Sequence, residues 1–331
     1  FPAEAERETK GGIPGGRIQN RRLEDQRMQN YTLGGDHLFG NLKFDWMGSY
    51  AKASEERPNE RYISWETEYI VDNGINPEEP LQTPVNTASP SDFELKEITE
   101  EYQYTEEEDI NVFANFELPA DFFNQGSGIV KFGVRGRFKN KNRDNNFFEY
   151  EPENGFENMS QTDVIRKDGN DFLAGEQYRP GFFTSPEYLG SLDLNSDQFG
   201  SEDLPDEYLQ ENFEAEENVY AGYIMANQNL SKNFSILAGV RLEATNISSL
   251  GNELIFNEDG DFEGATPVTD ESDYTNILPS VHLKYNVNNN TILRFAWTNT
   301  LARPNYIDLV PYRAVNNEDE EISVGNTDLD P

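Results

Sequence analysis

The chain has 331 residues, a formal net charge of −36 at pH 7 and no cysteine. That acidity argues against nucleic acid as a partner, because phosphate binding needs clustered Lys and Arg, and the missing thiols exclude disulfides and thiolate metal centres. No stretch approaches 18 consecutive apolar residues, which excludes a transmembrane helix but not a β-barrel, whose strands need only alternate.

In chain order, the opening FPAEAERETKGG lacks the basic region and apolar core of a signal peptide and reads as mature or internal sequence. Period-two alternation then predicts strands near 28–38, 42–54, 102–118, 129–145, 214–229, 234–246, 274–287 and 291–301. In the second, Leu42, Phe44, Trp46, Gly48 and Tyr50 share a face; in the fourth, Val130, Phe132, Val134, Gly136 and Phe138 do. Helical spacing of apolar residues is scarce, and the stretches between strands are rich in Asn, Asp, Gly and Pro. The class expected is all-β.

The links alternate. Those after the first, third, fifth and seventh strands are short, at 39–41, 119–128, 230–233 and 288–290, whereas 55–101, 146–213 and 247–273 are long. Short turns at one end and long loops at the other suit an outer-membrane barrel with periplasmic turns and extracellular loops. Between the third and fourth strands, a register in which residue numbers sum to about 248 sets Phe116 against Phe132 and Ala114 against Val134. The same register opposes Glu117 to Lys131, Asp109 to Lys139 and Glu107 to Lys141, cross-strand ion pairs worth roughly 0.2–1 kcal/mol each.

Four stretches carry a family resemblance: DHLFGNLKFDWMGSYAKASEERPN from Asp36, NVYAGYIMANQNL from Asn218, LAGVRLEATN from Leu237, and the run from Leu278 holding LPSVHLKY, LRFAWTNTLARPNY and GNTDLDP. Together these resemble consecutive barrel motifs of TonB-dependent outer-membrane receptors. The resemblance implies that residues 1–331 are a partial receptor barrel: an antiparallel transmembrane β-barrel segment of about eight strands from a larger barrel of about 22 strands with a plugged lumen. It further implies a plug domain upstream of Phe1 and more strands beyond Pro331, since eight strands alone leave two unpaired edges that lipid does not tolerate. By the same resemblance the activity is TonB-dependent uptake of a scarce nutrient across the outer membrane of a Gram-negative bacterium. The partners implied are TonB, outer-membrane lipid, a small ligand (siderophore, oligosaccharide, peptide or vitamin) and a surface lipoprotein.

Candidate sites follow from composition. Residues 146–213 hold sixteen Asp and Glu against three Lys and Arg, with twelve Phe and Tyr. With the carboxylates beside them, the aromatic platforms Tyr178, Phe182, Phe183 and Tyr188 suit sugar binding or cation binding; the plainer reading is a solvated loop folded on its own aromatics. Asp193, Asn195 and Asp197 form a D-x-N-x-D run that suits an irregular Ca²⁺ site, although Gln198 and Leu204 stand where an EF-hand needs Gly and Glu. Lys131, Arg135, Arg137 and Lys139 make a basic stripe that either guides an anion along the lumen or balances acids on the neighbouring strand. Arg303-Pro304 ends a strand, since Pro cannot donate to the ladder. His37 and His282 lie far apart, and no nucleophile elbow, P-loop or dinucleotide fingerprint is present, so no enzyme and no covalent cofactor are expected. The competing reading is a cell-surface or secreted β-sandwich that binds carbohydrate, in which the apolar strand faces would pack against a second sheet.

Overall fold

The computed structural model describes residues 2–12, 23–72, 83–84, 88–167, 181–257, 260–316, 321–326 and 329. Strands dominate: β1 (Pro2–Gly12), β2 (Asp25–Phe39), β3 (Leu42–Asp72), β4 (Thr83–Pro84), β5 (Glu94–Pro119), β6 (Gly128–Pro152), β7 (Val164–Lys167), β8 (Gly181–Thr184), β9 (Phe199–Asp203), β10 (Phe213–Asn229), β11 (Phe234–Phe256), β12 (Phe262–Asn288), β13 (Thr291–Thr298), β14 (Arg313–Asn316) and β15 (Glu321–Val324). Three short helices join them: α1 (Pro186–Ser191), α2 (Pro205–Tyr208) and α3 (Tyr306–Leu309). The main sheet runs β1-β3-β5-β6-β10-β11-β12-β13, with β2 also paired to β3.

All eight expected strands are present, but several are much longer than the alternation predicts. The third long link, 247–273, is instead mostly ladder: β11 and β12 stay paired from Phe234↔Tyr285 to Phe256↔Phe262. The expected strand at 291–301 ends three residues early, at Thr298. The overlong strands have a physical reason. Beyond the apolar band the regular alternation of exposed apolar residues ends, or gives way to isolated inward residues such as Ile63, Trp65 and Ile98, while backbone hydrogen bonds continue unchanged.

The chain divides into two compact units, one of residues 1–25, 55–104 and 145–208, the other of residues 26–54, 105–144 and 209–331. In the second unit the sheet has two unlike faces. Ile110, Val112, Leu118, Phe132, Val134, Tyr220, Ile224, Val240, Leu242 and Ile277 are exposed large apolar side chains, and the registers align them in rows such as Phe132↔Ile224↔Val240. On β5 this band runs from Ile110 to Leu118, nine residues, and on β12 from Ile277 to Val287, eleven residues. A tilted membrane strand needs about 9–11 residues, so the height fits a bilayer. One border is aromatic, Tyr31 stacked on Tyr50 at 6.4 Å. Beyond Tyr50, on the same face, Lys52 pairs with Glu106 at 2.6 Å and Glu108 at 3.2 Å. The sandwich reading requires these apolar faces to be covered by a second sheet. Among the described residues they are exposed, and the one separate sheet is the β7–β8 hairpin of the first unit.

The β5–β6 register follows the expected sum. The Ala120 N–H donates to the Gly128 carbonyl at 2.9 Å, Phe116 stacks on Phe132 at 5.2 Å, and Lys131 meets Glu117 at 2.5 Å. One pairing is corrected. Asp109 pairs with Arg137 at 2.8 Å, and Lys139 reaches Glu107 at 2.6 Å, each a diagonal contact two residues off the direct opposite. Long side chains span the diagonal readily.

The first unit carries its own core: Ile63, Trp65, Phe93, Ile98, Tyr150, Met159, Leu189 and Leu194 are buried together. The Trp65 indole N–H donates to Thr184 Oγ1 at 2.9 Å, and the Thr9 hydroxyl donates to the Thr184 carbonyl at 2.8 Å. Buried Arg61 pairs with Glu100 and donates to the Leu189 and Leu192 carbonyls at 3.3 and 2.8 Å. Those carbonyls lie at the C-terminal end of α1, where a cation is favoured. The expected long loops 55–101 and 146–213 are thus, over their described residues, folded strand extensions and a packed insertion.

Candidate functional site

In the second unit the face opposite the apolar band is ionic. Each member of the basic stripe has a partner on β5: Lys131 with Glu117, Arg135 Nε donating to Asn111 Oδ1 at 3.0 Å, Arg137 with Asp109, and Lys139 with Glu107. The alternation puts all of them on one side of β6, and the 248 register brings acids of β5 opposite. Further along, Arg143 pairs with Glu211.

Across this ionic face lies a strap. After Thr298 the chain leaves the sheet, and residues 301–312 cross to β10 and β11. Its anchor is Arg303, which is 2.7 Å from Glu243 and 3.6 Å from Glu217 and donates to Thr245 Oγ1 at 3.4 Å. Glu217, Glu243 and Thr245 are all buried. Arg241 Nε also donates to Glu243 Oε1, at 2.5 Å. Two buried carboxylates on adjacent strands would repel one another without a cation, and Arg303 supplies it. Further on, Lys139 sits 5.2 Å over the Tyr306 ring, and Val310 packs with Phe213 and Ala215. A methyl group at Gly251 would collide with Val310.

The strap is closed by Gly325 and Asn326, the first two residues of the GNTDLDP motif. The Gly325 N–H donates to the Tyr312 carbonyl at 3.2 Å, and the Asn326 N–H to the Asp308 carbonyl at 2.8 Å. A Cβ at Gly325 would run into the Val310 carbonyl oxygen, so a glycine is required there by close approach. Two motifs that are separate in the sequence, ARPNYIDLVP and GN, therefore form one object. Their link is invisible to spacing arguments, because it depends on a long-range backbone contact. Between strap and wall a cavity of about 490 Å³ is lined by Arg137, Lys139, Lys141, Arg143, Arg303 and Tyr306, with Glu107 and Glu217 among them.

In the first unit, Tyr188 lies on α1, where its N–H donates to the Ser185 hydroxyl at 3.0 Å and its ring sits 6.4 Å from Phe156. Burial pushes the Tyr188 hydroxyl pKa up. Phe182 packs against the core beneath Arg166, at 5.2 Å. Phe183 is approached by Lys167 at 4.2 Å and Arg7 at 5.8 Å. Tyr178 lies outside the described residues. Asp193, Asn195 and Asp197 are exposed on the turn after α1, with Leu194 buried between them. The Asp193 carbonyl is used within that turn, accepting from the Ser196 N–H at 3.1 Å. Among the described residues no group of three His, Asp or Glu is arranged around a metal position. His37 Nε2 accepts from the Trp46 indole at 3.1 Å.

Comparison with known proteins gives a family match to part of the chain. Residues 189–331 match the outer membrane protein β-barrel family. No curated protein matches the chain. Among solved structures, the ferric-catecholate import receptor Fiu of Escherichia coli K12 overlaps 78% of this chain at 9% identity and a TM-score of 0.37. The siderophore receptor PiuA of Acinetobacter baumannii overlaps 86% at 9% identity and a TM-score of 0.20. This chain spans 33% and 47% of their lengths, and neither overlap is close enough to carry a conclusion. The family match and the two-faced sheet together place the chain in a bacterial outer membrane, as part of a β-barrel.

Proposed function

We propose that this outer-membrane β-barrel portion serves TonB-dependent import of a scarce nutrient. The observation that carries the reading is the sheet of the second unit: an apolar face nine to eleven residues tall on one side, and an ion-paired face crossed by a strap on the other. Lipid explains the first face, and a polar lumen through which a hydrophilic solute passes explains the second. The four sequence motifs support the TonB-dependent class.

Ligand capture falls to the polar strand extensions and the aromatic insertion. With sixteen acids against three bases in 146–213, that surface repels polyanions and favours a neutral oligosaccharide or a peptide over an anionic siderophore. The strap anchored by Arg303 shapes the wall of the path.

Deletion of the gene in its host, with growth scored on limiting oligosaccharide, peptide, vitamin and ferric siderophore, tests the proposal. Loss of growth on one nutrient, reproduced by deletion of TonB, is expected. Unchanged uptake of all four classes, or a loss that does not depend on TonB, would overturn it.

A further inference from the structure

The hairpin turns of the second unit are not alike. Two are tight, at Gly40–Asn41 and 289–290, whereas the β5–β6 turn occupies residues 120–127. Its length is not slack. The Asp121 carboxylate accepts from the N–H groups of Phe123 at 3.2 Å and Gly126 at 2.6 Å, and Asn124 and Gly126 hold positive φ of 56° and 84°. A turn this well fixed presents Phe122 and Phe123 at 64% and 50% exposure, although hydrophobic side chains gain nothing from water.

The side on which the turn lies is given by Gln228. On β10, exposed Tyr220 and Ile224 face the apolar side, and Gln228, four residues past Ile224, shares their parity. Its amide is nevertheless buried, at 3% exposure. The amide accepts from the Phe122 N–H at 3.0 Å and donates to the Ala120 carbonyl at 2.6 Å and the Ile129 carbonyl at 3.4 Å. The turn backbone is thus folded onto the lipid-facing side, and the Gln228 amide is satisfied at both its oxygen and its nitrogen, as an apolar medium demands. The same border carries a row of rings. His37 lies 5.6 Å from Phe44, Phe44 4.9 Å from Phe116, and Phe116 5.2 Å from Phe132.

We propose that turn 120–127 is an aromatic foot that seats Phe122 and Phe123 in the headgroup region of the periplasmic leaflet. The occupant of this surface is phospholipid, because Gln228 holds the turn backbone on the side of the apolar face, at the end of the sheet that carries the aromatic border. Interfacial aromatics fix the depth of a membrane protein, and here the fixing element is a rigid turn beyond the end of the strands. The role does not depend on which nutrient is carried, so failure of the transport proposal leaves it standing.

No cysteine lies in residues 1–331, and any in the rest of the complete receptor are first replaced by serine. Single variants Phe122→Cys, Phe123→Cys and, as a reference on another short turn, Lys232→Cys are spin-labelled in the complete receptor and reconstituted into phosphatidylethanolamine–phosphatidylglycerol vesicles. The ratio of collisions with oxygen to collisions with a water-soluble nickel chelate is expected to be several-fold higher at 122 and 123 than at 232. As a check that keeps the native fold, Phe122→Trp adds emission that lipids brominated near the headgroup quench. Equal ratios at all three positions, absence of that quenching, or protection from both reagents, as a covering protein would give, each overturns the proposal.

Discussion

At the scale of single residues, the strap explains more of the sequence than any other feature. Arg303→Gln removes a cation shared by two buried acids. Breaking a buried pair costs about 3–5 kcal/mol, and because the Arg303 side chain is 26% exposed and Arg241 still serves Glu243, about 1–3 kcal/mol is expected. Faster hydrogen exchange confined to residues 301–312 is the measurement, and unchanged exchange there refutes the anchoring role. Gly325→Ala acts on the same strap by collision and should displace it with a loss of about 1–3 kcal/mol, read by denaturant unfolding in detergent. Asp121 gives a pH dependence. Burial alone would raise its pKa, but backbone N–H donors led by Gly126 outweigh that and hold it below the ordinary Asp value. A lowered folded-state pKa means stabilisation that is complete above the unfolded value, about 3.9, and lost as pH falls through the folded one. Spin-label mobility in turn 120–127 should therefore be constant from pH 7 to pH 5 and rise only under stronger acid.

At the scale of elements, the paired extension of β11 and β12 is directly testable. Asn246 faces Asp273 in the ladder. The variant Asn246→Cys with Asp273→Cys should form a disulfide under mild oxidation, whereas Asn246→Cys with Ser272→Cys should not, because neighbouring residues project to opposite faces. Equal cross-linking in both, scored by gel mobility, would mean an open loop. The cores of the strands were legible because lipid on one side and water on the other impose period two, as in Val130 to Phe138. Their distal halves were not: Ile63, Trp65 and Ile98 alternate with polar neighbours, but they bury into a separate core, and β1, with Ala5 and Thr9 its few inward candidates, carries almost no apolar signal. The ionic face was legible to within one diagonal. Charge complementarity selected the acids of β5 but could not choose between a direct opposite and a neighbour two residues along.

At the scale of the whole molecule, the two faces of the second unit's sheet decide between membrane and water. Leu242→Arg places a charge on a residue that is half exposed to lipid. It should cost about 2–4 kcal/mol near the midplane and reduce the assembled, heat-modifiable protein in outer-membrane fractions. The neighbouring Glu243 lies on the opposite face, and Glu243→Gln should leave assembly intact. Normal assembly of Leu242→Arg would remove the lipid contact. The strap could not be found from sequence at this scale either, since Arg303, Glu217 and Glu243 lie 26 to 86 residues apart and no periodicity joins them.

The long ladder of β11 and β12 bears on how a solute is met. Twenty-three residues of β11 are ordered through backbone bonds to β12, and fixing a residue's backbone costs roughly 1–2 kcal/mol of conformational entropy. Had residues 247–256 formed the flexible loop expected from the sequence, that part would have to be ordered when the solute arrives, at a cost in affinity. Here folding has already done the ordering. On the import reading proposed above, a solute that meets this hairpin would find a preorganised surface, with no loop closure to wait for.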